Sequence, residues 1–148
     1  MARMLQVEDC IGVFEAAQKH VILEIQQEAY IGEIQCLQPG KCLAKSSSIS
    51  TLSPFVVTDG LLRVGGRIKH SSLTDAEKHP ILVPGRHHIA LLIVRHHHEQ
   101  MQHQGRHITE GSVRSAGLWI TGAKSFVSSM IYNCVKCRKI KGDLGSKR

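Results

Sequence analysis

A chain of 148 residues has the length of one ordinary domain or two small modules, and its 42% hydrophobic and 21% charged residues exclude a disordered polyelectrolyte. The formal charge of +7 and the pI of about 9.4 suit a polyanionic partner without requiring one. The opening Met1-Ala2-Arg3-Met4-Leu5 lacks the apolar stretch of a signal peptide, and the longest apolar run, 89–94, is too short to span a bilayer. The expectation is an intracellular protein, nuclear or cytoplasmic, with no membrane partner.

In chain order, residues 8–37 predict a long helix. Phe14, Ala17, Val21, Ile25 and Ala29 recur at steps of three and four, while Leu23, Ile31 and Ile34 lie off that stripe and point to a second buried face. Pro39-Gly40 ends the helix, and 45–54 is a polar connector. Residues 55–57 and 61–64 flank Thr58-Asp59-Gly60, a strong hairpin signal because the glycine accepts the positive φ of the turn. Gly65-Gly66 breaks or bulges the second strand. Residues 67–79 predict an exposed loop, and 81–83 a third strand between two prolines. From Pro84-Gly85 to about Gln102 the pattern is helical, with Ile89, Leu92, Ile93 and His96 on one face and Gly105 closing the helix. A second helix starts at Thr109-Glu110, turns Val113 and Ala116 inward and closes at Gly117. Trp119 falls in a short turn. A third helix over 123–133 buries Phe126, Val127, Met130 and Ile131 and leads to Cys134. The residues from Lys136 onward predict a frayed basic tail.

Five cysteines are present: Cys10, Cys36, Cys42, Cys134 and Cys137. In a reducing compartment the pair in C-x2-C reads as a metal knuckle rather than a disulfide, and the other three read as small buried or idle thiols. His98, His103, Cys134 and Cys137 follow H-x4-H, a gap over 104–133, then C-x2-C. Two neutral imidazoles and two thiolates make a closed tetrahedral site for one structural Zn2+, with no open position for catalysis. The intervening residues suffice for two short helices that return the cysteines to the histidines. Residues 96–98 are all histidine, so the first ligand is left between His98, which is preferred, and His96; His97 and His107 are weaker candidates.

His98-Glu99-Gln100-Met101-Gln102-His103 has one residue too many for the protease motif H-E-x-x-H. At i+5 the second imidazole lies about 100° further round a helix, so Glu99 reads as a solvated helix residue. No phosphate-binding glycine loop is present, and no small-molecule substrate is implied. Arg106, Arg114, Lys124, Lys136, Arg138, Lys139 and Lys141 are the candidate nucleic-acid contacts, against an ordinary solvated basic surface. Trp119 fits a small core better than a base stack.

These motifs together resemble a known family. His-x4-His-x-Gly, a Trp, then Cys-x2-Cys-Arg-Lys is similar to the zinc-binding domain of retroelement integrases, nearest to the BEL/Pao class of LTR retrotransposon polyproteins. The strings 54–67 and 78–84, with the helix around Gln26-Gln27-Glu28, resemble the segment preceding that domain. The resemblance implies a helical zinc domain that contacts DNA and helps assemble multimers in DNA integration. The family's catalytic core follows the zinc domain, whereas only eleven residues follow Cys137 with Asp143 their one acid; the expectation is therefore a non-enzymatic module.

The expected fold is mostly α with a small β-hairpin extension: a helical segment over 1–45, the extension over 46–83, a three-helix zinc-binding domain over 84–141 and a basic tail over 142–148. The expected partners are DNA and, through self-association, other copies or retroelement proteins. The alternative is a protein–protein interaction adaptor derived from a retroelement fragment.

Overall fold

The computed structural model describes residues 2–65 and 72–145. Gly66 and Arg67 of the glycine-rich string, the first part of the expected loop and the last three tail residues lie outside the described residues. The chain divides into two compact units, Met1–Arg63 and Val64–Arg148. Among the described residues it is mostly helical, with a long N-terminal helix and four three-residue strands, in keeping with the expected class.

In the first unit α1 spans Ala2–Leu37 and is interrupted at Tyr30, where φ −130° and ψ 28° leave the helical region. The expected inward stripe does not hold. Phe14, Ala17, Val21 and Ala29 are exposed, and the buried positions among the described side chains are Ile25, Gln26, Tyr30 and Ile34. Gln26 explains the shift. Its amide is fully buried, donating from Nε2 to the Leu62 carbonyl at 3.0 Å and accepting at Oε1 from the Leu62 N–H at 2.8 Å. It thereby completes the backbone pairing of a strand residue as a neighbouring strand would. A polar residue thus occupies a core position, which a hydrophobic pattern counts against that face.

Strands β1 (Pro54–Val56) and β2 (Leu62–Val64) form the expected hairpin. Its turn is closed by the Val57 N–H on the Leu61 carbonyl at 3.0 Å and by Asp59 Oδ1 accepting from the Leu61 N–H at 3.1 Å. Ile49, Leu61 and Leu62 are fully buried beside it.

The second unit holds a correction to the predicted loop: α2 (Asp75–Lys78) opens on a capping box in which Thr74 and Glu77 satisfy each other's backbone donors. Strand β3 (Ile81–Val83) pairs in parallel with β4 (Leu118–Ile120), Leu82 opposite Trp119. Trp119 therefore belongs to a strand, not to a turn. Where β3 and β4 end, the chain is locked twice. The Gly85 N–H donates to Thr121 Oγ1 at 2.9 Å, and the Thr121 N–H donates to the Val83 carbonyl at 3.0 Å. A Cβ at Gly85 would overlap the Thr121 carbonyl, so the two turns can approach this closely only with glycine there.

From these two turns start α3 (His88–Gln100) and α5 (Ala123–Asn133). Between them runs α4 (Arg106–Ser115), and α3, α4 and α5 pack on one another as three helices. Their shared core is Ala90, Val94, Val113, Val127 and Ile131, with Leu82, Val83 and Ile120 from the strands. On α3 the buried residues are Ala90, Val94 and His98, whereas Leu92 and His96 are exposed. On α5 Val127 and Ile131 are buried, as expected, and Phe126 and Met130 half-buried. Ala116 lies exposed beyond the end of α4. The residues from Lys136 onward, expected to fray, continue instead as α6 (Val135–Gly145).

Candidate metal centre

Each ligand candidate sits at a helix end, and the chain reaches each end for a local reason. Helix α3 stops at Gln100. The Gln102 N–H donates to the Glu99 carbonyl at 3.1 Å and the His103 N–H to the His98 carbonyl at 3.0 Å. These are the paired bonds of a Schellman termination, with Gln102 at the left-handed position, φ 52°, and His103 following at φ 59°. The five-residue separation that a straight helix would leave about 140° out of line is thereby folded back. Gly105, expected to close α3, instead precedes α4 at φ 103°.

On the other side Cys134 caps the end of α5 in an extended conformation, and Cys137 lies in the first turn of α6, whose Arg138 N–H donates to the Cys134 carbonyl at 3.0 Å. The C-x2-C knuckle is therefore the junction of two helices.

The four side chains converge. His98 Nε2 is 2.8 Å from His103 Nδ1 and 3.2 Å from Cys137 Sγ. His103 Nδ1 is 3.4 Å from Cys134 Sγ and 3.7 Å from Cys137 Sγ. One ligand atom from each residue lies within 4.8 Å of all the others, so the group could hold a metal ion. His98 and Cys137 are buried, and His103 and Cys134 half-buried.

A hydroxyl sets the protonation of His98. Thr109, fully buried on α4, donates its single hydroxyl proton to the Gly105 carbonyl at 2.8 Å. At 3.2 Å from His98 Nδ1 it can only accept, so Nδ1 carries the proton and Nε2 presents a lone pair to the centre. Burial, then the neighbouring His103, pushes the His98 imidazole below its usual value, with Glu99 opposing. That keeps it neutral and able to ligate.

The two thiols differ. Burial alone would raise Cys134. The N–H and thiol of Cys137 and the N–H and ammonium of Lys136 act against it, and the net shift is downward. Cys137 is pushed up by its burial and by the adjoining Cys134 thiol, against the pull of Lys141. The knuckle therefore offers one sulfur already disposed towards thiolate.

The rival histidines lie elsewhere. His96 is exposed, His97 holds its Nδ1 2.7 Å from Ser112 Oγ, and exposed His107 accepts from Arg106 Nη2 at 3.1 Å. Glu99 is exposed. Cys36 and Cys42 are exposed free thiols; the side chain of Cys10 is outside the described residues. Thr109 is the functional residue that pattern reading missed, since nothing in its spacing to His98 marks it.

The basic candidates separate into two groups. Arg106 is half-buried, its Nε 3.4 Å from Glu110 and its Nη1 donating to Ser128 Oγ at 3.4 Å. Arg114 is exposed but covers the Trp119 ring at 5.1 Å and reaches Glu110 at 3.9 Å. Lys124, Lys136, Arg138, Lys139 and Lys141 are exposed, four of them on α6. No helix among the described residues is long and apolar enough to cross a membrane.

Compared with models of known protein families, with curated proteins and with solved structures, the chain matches none.

Proposed function

We propose that the second unit is a structural zinc-binding module of the retroelement integrase type, serving nucleic-acid binding and multimer assembly rather than catalysis. The observation that carries the zinc reading is the two-nitrogen, two-sulfur set with its oriented His98. Zinc bonds of about 2.0–2.1 Å to nitrogen and 2.3 Å to sulfur imply tetrahedral edges of roughly 3.3–3.8 Å. Three of the four separations quoted above, 3.2, 3.4 and 3.7 Å, lie at or near those edges. The His98–His103 nitrogens, at 2.8 Å, would spread by about half an ångström around the ion. His98, His103, Cys134 and Cys137 would hold it, and when bound it would tie α3, α5 and α6 together. Four protein ligands complete the coordination of zinc and leave no place for an activated water, which supports a structural role.

Nucleic acid as the partner is supported by the row of exposed cations on α6 beside the knuckle. The test is binding of a labelled DNA duplex to the zinc-loaded full chain across a salt series. Counterion release from phosphate predicts affinity falling steeply with salt. Undetectable DNA binding at low salt would overturn the nucleic-acid part and leave the adaptor role as the reading to pursue.

A further inference from the structure

Beside the metal centre lies an open groove of about 470 Å³. One wall is the segment His103–His107 at the start of α4, the other the end of α5 and the face of α6 that carries Cys137, Ile140 and Lys141. Two features of its lining stand out. Tyr132 and Ile140 border it with 76% and 54% of their surfaces exposed, apolar area that the second unit leaves uncovered. Its charged side chains, among the described residues, are Arg106 and Lys141, both cationic, joined by His107 and the hydroxyl of Ser128, with no carboxylate among them.

We propose that this groove binds a single-stranded stretch of nucleic acid, with an unpaired base stacked on Tyr132 against Ile140 and the adjoining phosphate on Lys141, His107 and Arg106. The inference rests on the nucleic-acid reading above and adds to it the strand state recognised and the side chain that recognises it. An exposed aromatic ring next to cations is the arrangement that holds single strands without regard to sequence, because every base offers a flat face and every linkage a phosphate. A paired base, enclosed in its stack, cannot offer that face. The cationic lining favours a polyanion over a neutral apolar ligand, and Lys136, Arg138 and Lys139 continue the positive surface along α6. Arg106 contributes least, since Glu110 already neutralises part of its charge.

The experiment measures fluorescence anisotropy of a labelled oligo-dT and of a duplex of equal phosphate count, each titrated with zinc-loaded full chain and with its Tyr132→Ala, Tyr132→Phe and Lys141→Gln variants. Tyr132 is largely exposed, so its truncation leaves the core intact. The expected result is tighter binding of oligo-dT than of the duplex, a loss of about tenfold in Tyr132→Ala for oligo-dT alone, retention in Tyr132→Phe, and a loss for both DNAs in Lys141→Gln. Unchanged oligo-dT binding in Tyr132→Ala, with the duplex still bound, would overturn the groove assignment while the nucleic-acid function stood. No binding of either DNA would remove both. Equal competition by a Glu-Tyr copolymer would assign the groove to an acidic peptide. A dimer that dissociates in Tyr132→Ala, with oligo-dT binding unaffected, would assign it to a second copy of the chain. Either result overturns the proposal.

Discussion

His98 and His103 are joined twice: the His103 N–H donates to the His98 carbonyl at 3.0 Å, and their ring nitrogens meet at 2.8 Å. The backbone bond is what makes an H-x4-H pair usable. It ends α3 and reverses the chain, so that the second imidazole returns over the first. Gln102 occupies the left-handed position where glycine is usual.

The Gln102→Gly substitution should accordingly stabilise the protein. A side chain in the left-handed region costs roughly 1–2 kcal/mol, partly offset by the greater unfolded freedom of glycine. A net gain of about 0.5–1 kcal/mol in urea unfolding is expected. A destabilised variant would show that Gln102 contributes something other than its backbone conformation.

Thr109→Val keeps the volume but removes the acceptor that fixes His98 Nδ1–H. Metal affinity, measured by competition with a chromogenic chelator, should fall by about 10–100-fold, and Thr109→Ser should restore most of it. Equal affinity in Thr109→Val would mean that the hydroxyl does not orient the ring.

Gly85→Ala tests the lock between the two turns that launch α3 and α5. The overlap with the Thr121 carbonyl forces the turns apart, at a cost of about 1–3 kcal/mol read as a lower urea midpoint. An unchanged midpoint would show that the approach is not required.

Stability of the chain should rise with pH through the histidine range. His98 is held below its usual value by burial and His103, and His97 by burial and His96. As pH falls below about 6.5 the unfolded chain takes up protons that these folded imidazoles refuse, so the unfolded state binds more and stability drops. Metal binding steepens the trend, because protons compete for the same nitrogens and sulfurs. Urea midpoints at about pH 5.5 and 7.5 check the sign; a higher midpoint at the acid end would contradict it.

Legibility from the sequence followed the kind of signal each element carries. The hairpin around Asp59-Gly60 and helix α5 were readable because turn chemistry and apolar spacing agreed. The four ligand candidates were readable from residue type and spacing, with His98 preferred over His96, but the chain reversal built on Gln102 that brings His98 and His103 together was not, because it has no glycine to announce it. Strand β4 was missed because three residues carry too little periodicity and its partner β3 is distant in sequence. Helix α2 was signalled by Thr74 and Glu77 and overlooked. The inward face of α1 was misread because Gln26, a polar residue, is buried for its hydrogen bonds to Leu62. Thr109 gave no sign, since its role depends on where α4 lies against α3.

The central claim is that His98, His103, Cys134 and Cys137 hold one structural zinc. Such an ion contributes on the order of 10–16 kcal/mol, comparable to the whole stability of a domain, about 5–15 kcal/mol. Native mass spectrometry of the full chain equilibrated with zinc, alongside Cys134→Ser and His103→Ala, tests it most directly. The account predicts one zinc in the wild-type chain, lost from both variants after mild chelation together with helical circular dichroism. A folded wild-type chain that takes up no zinc would contradict it.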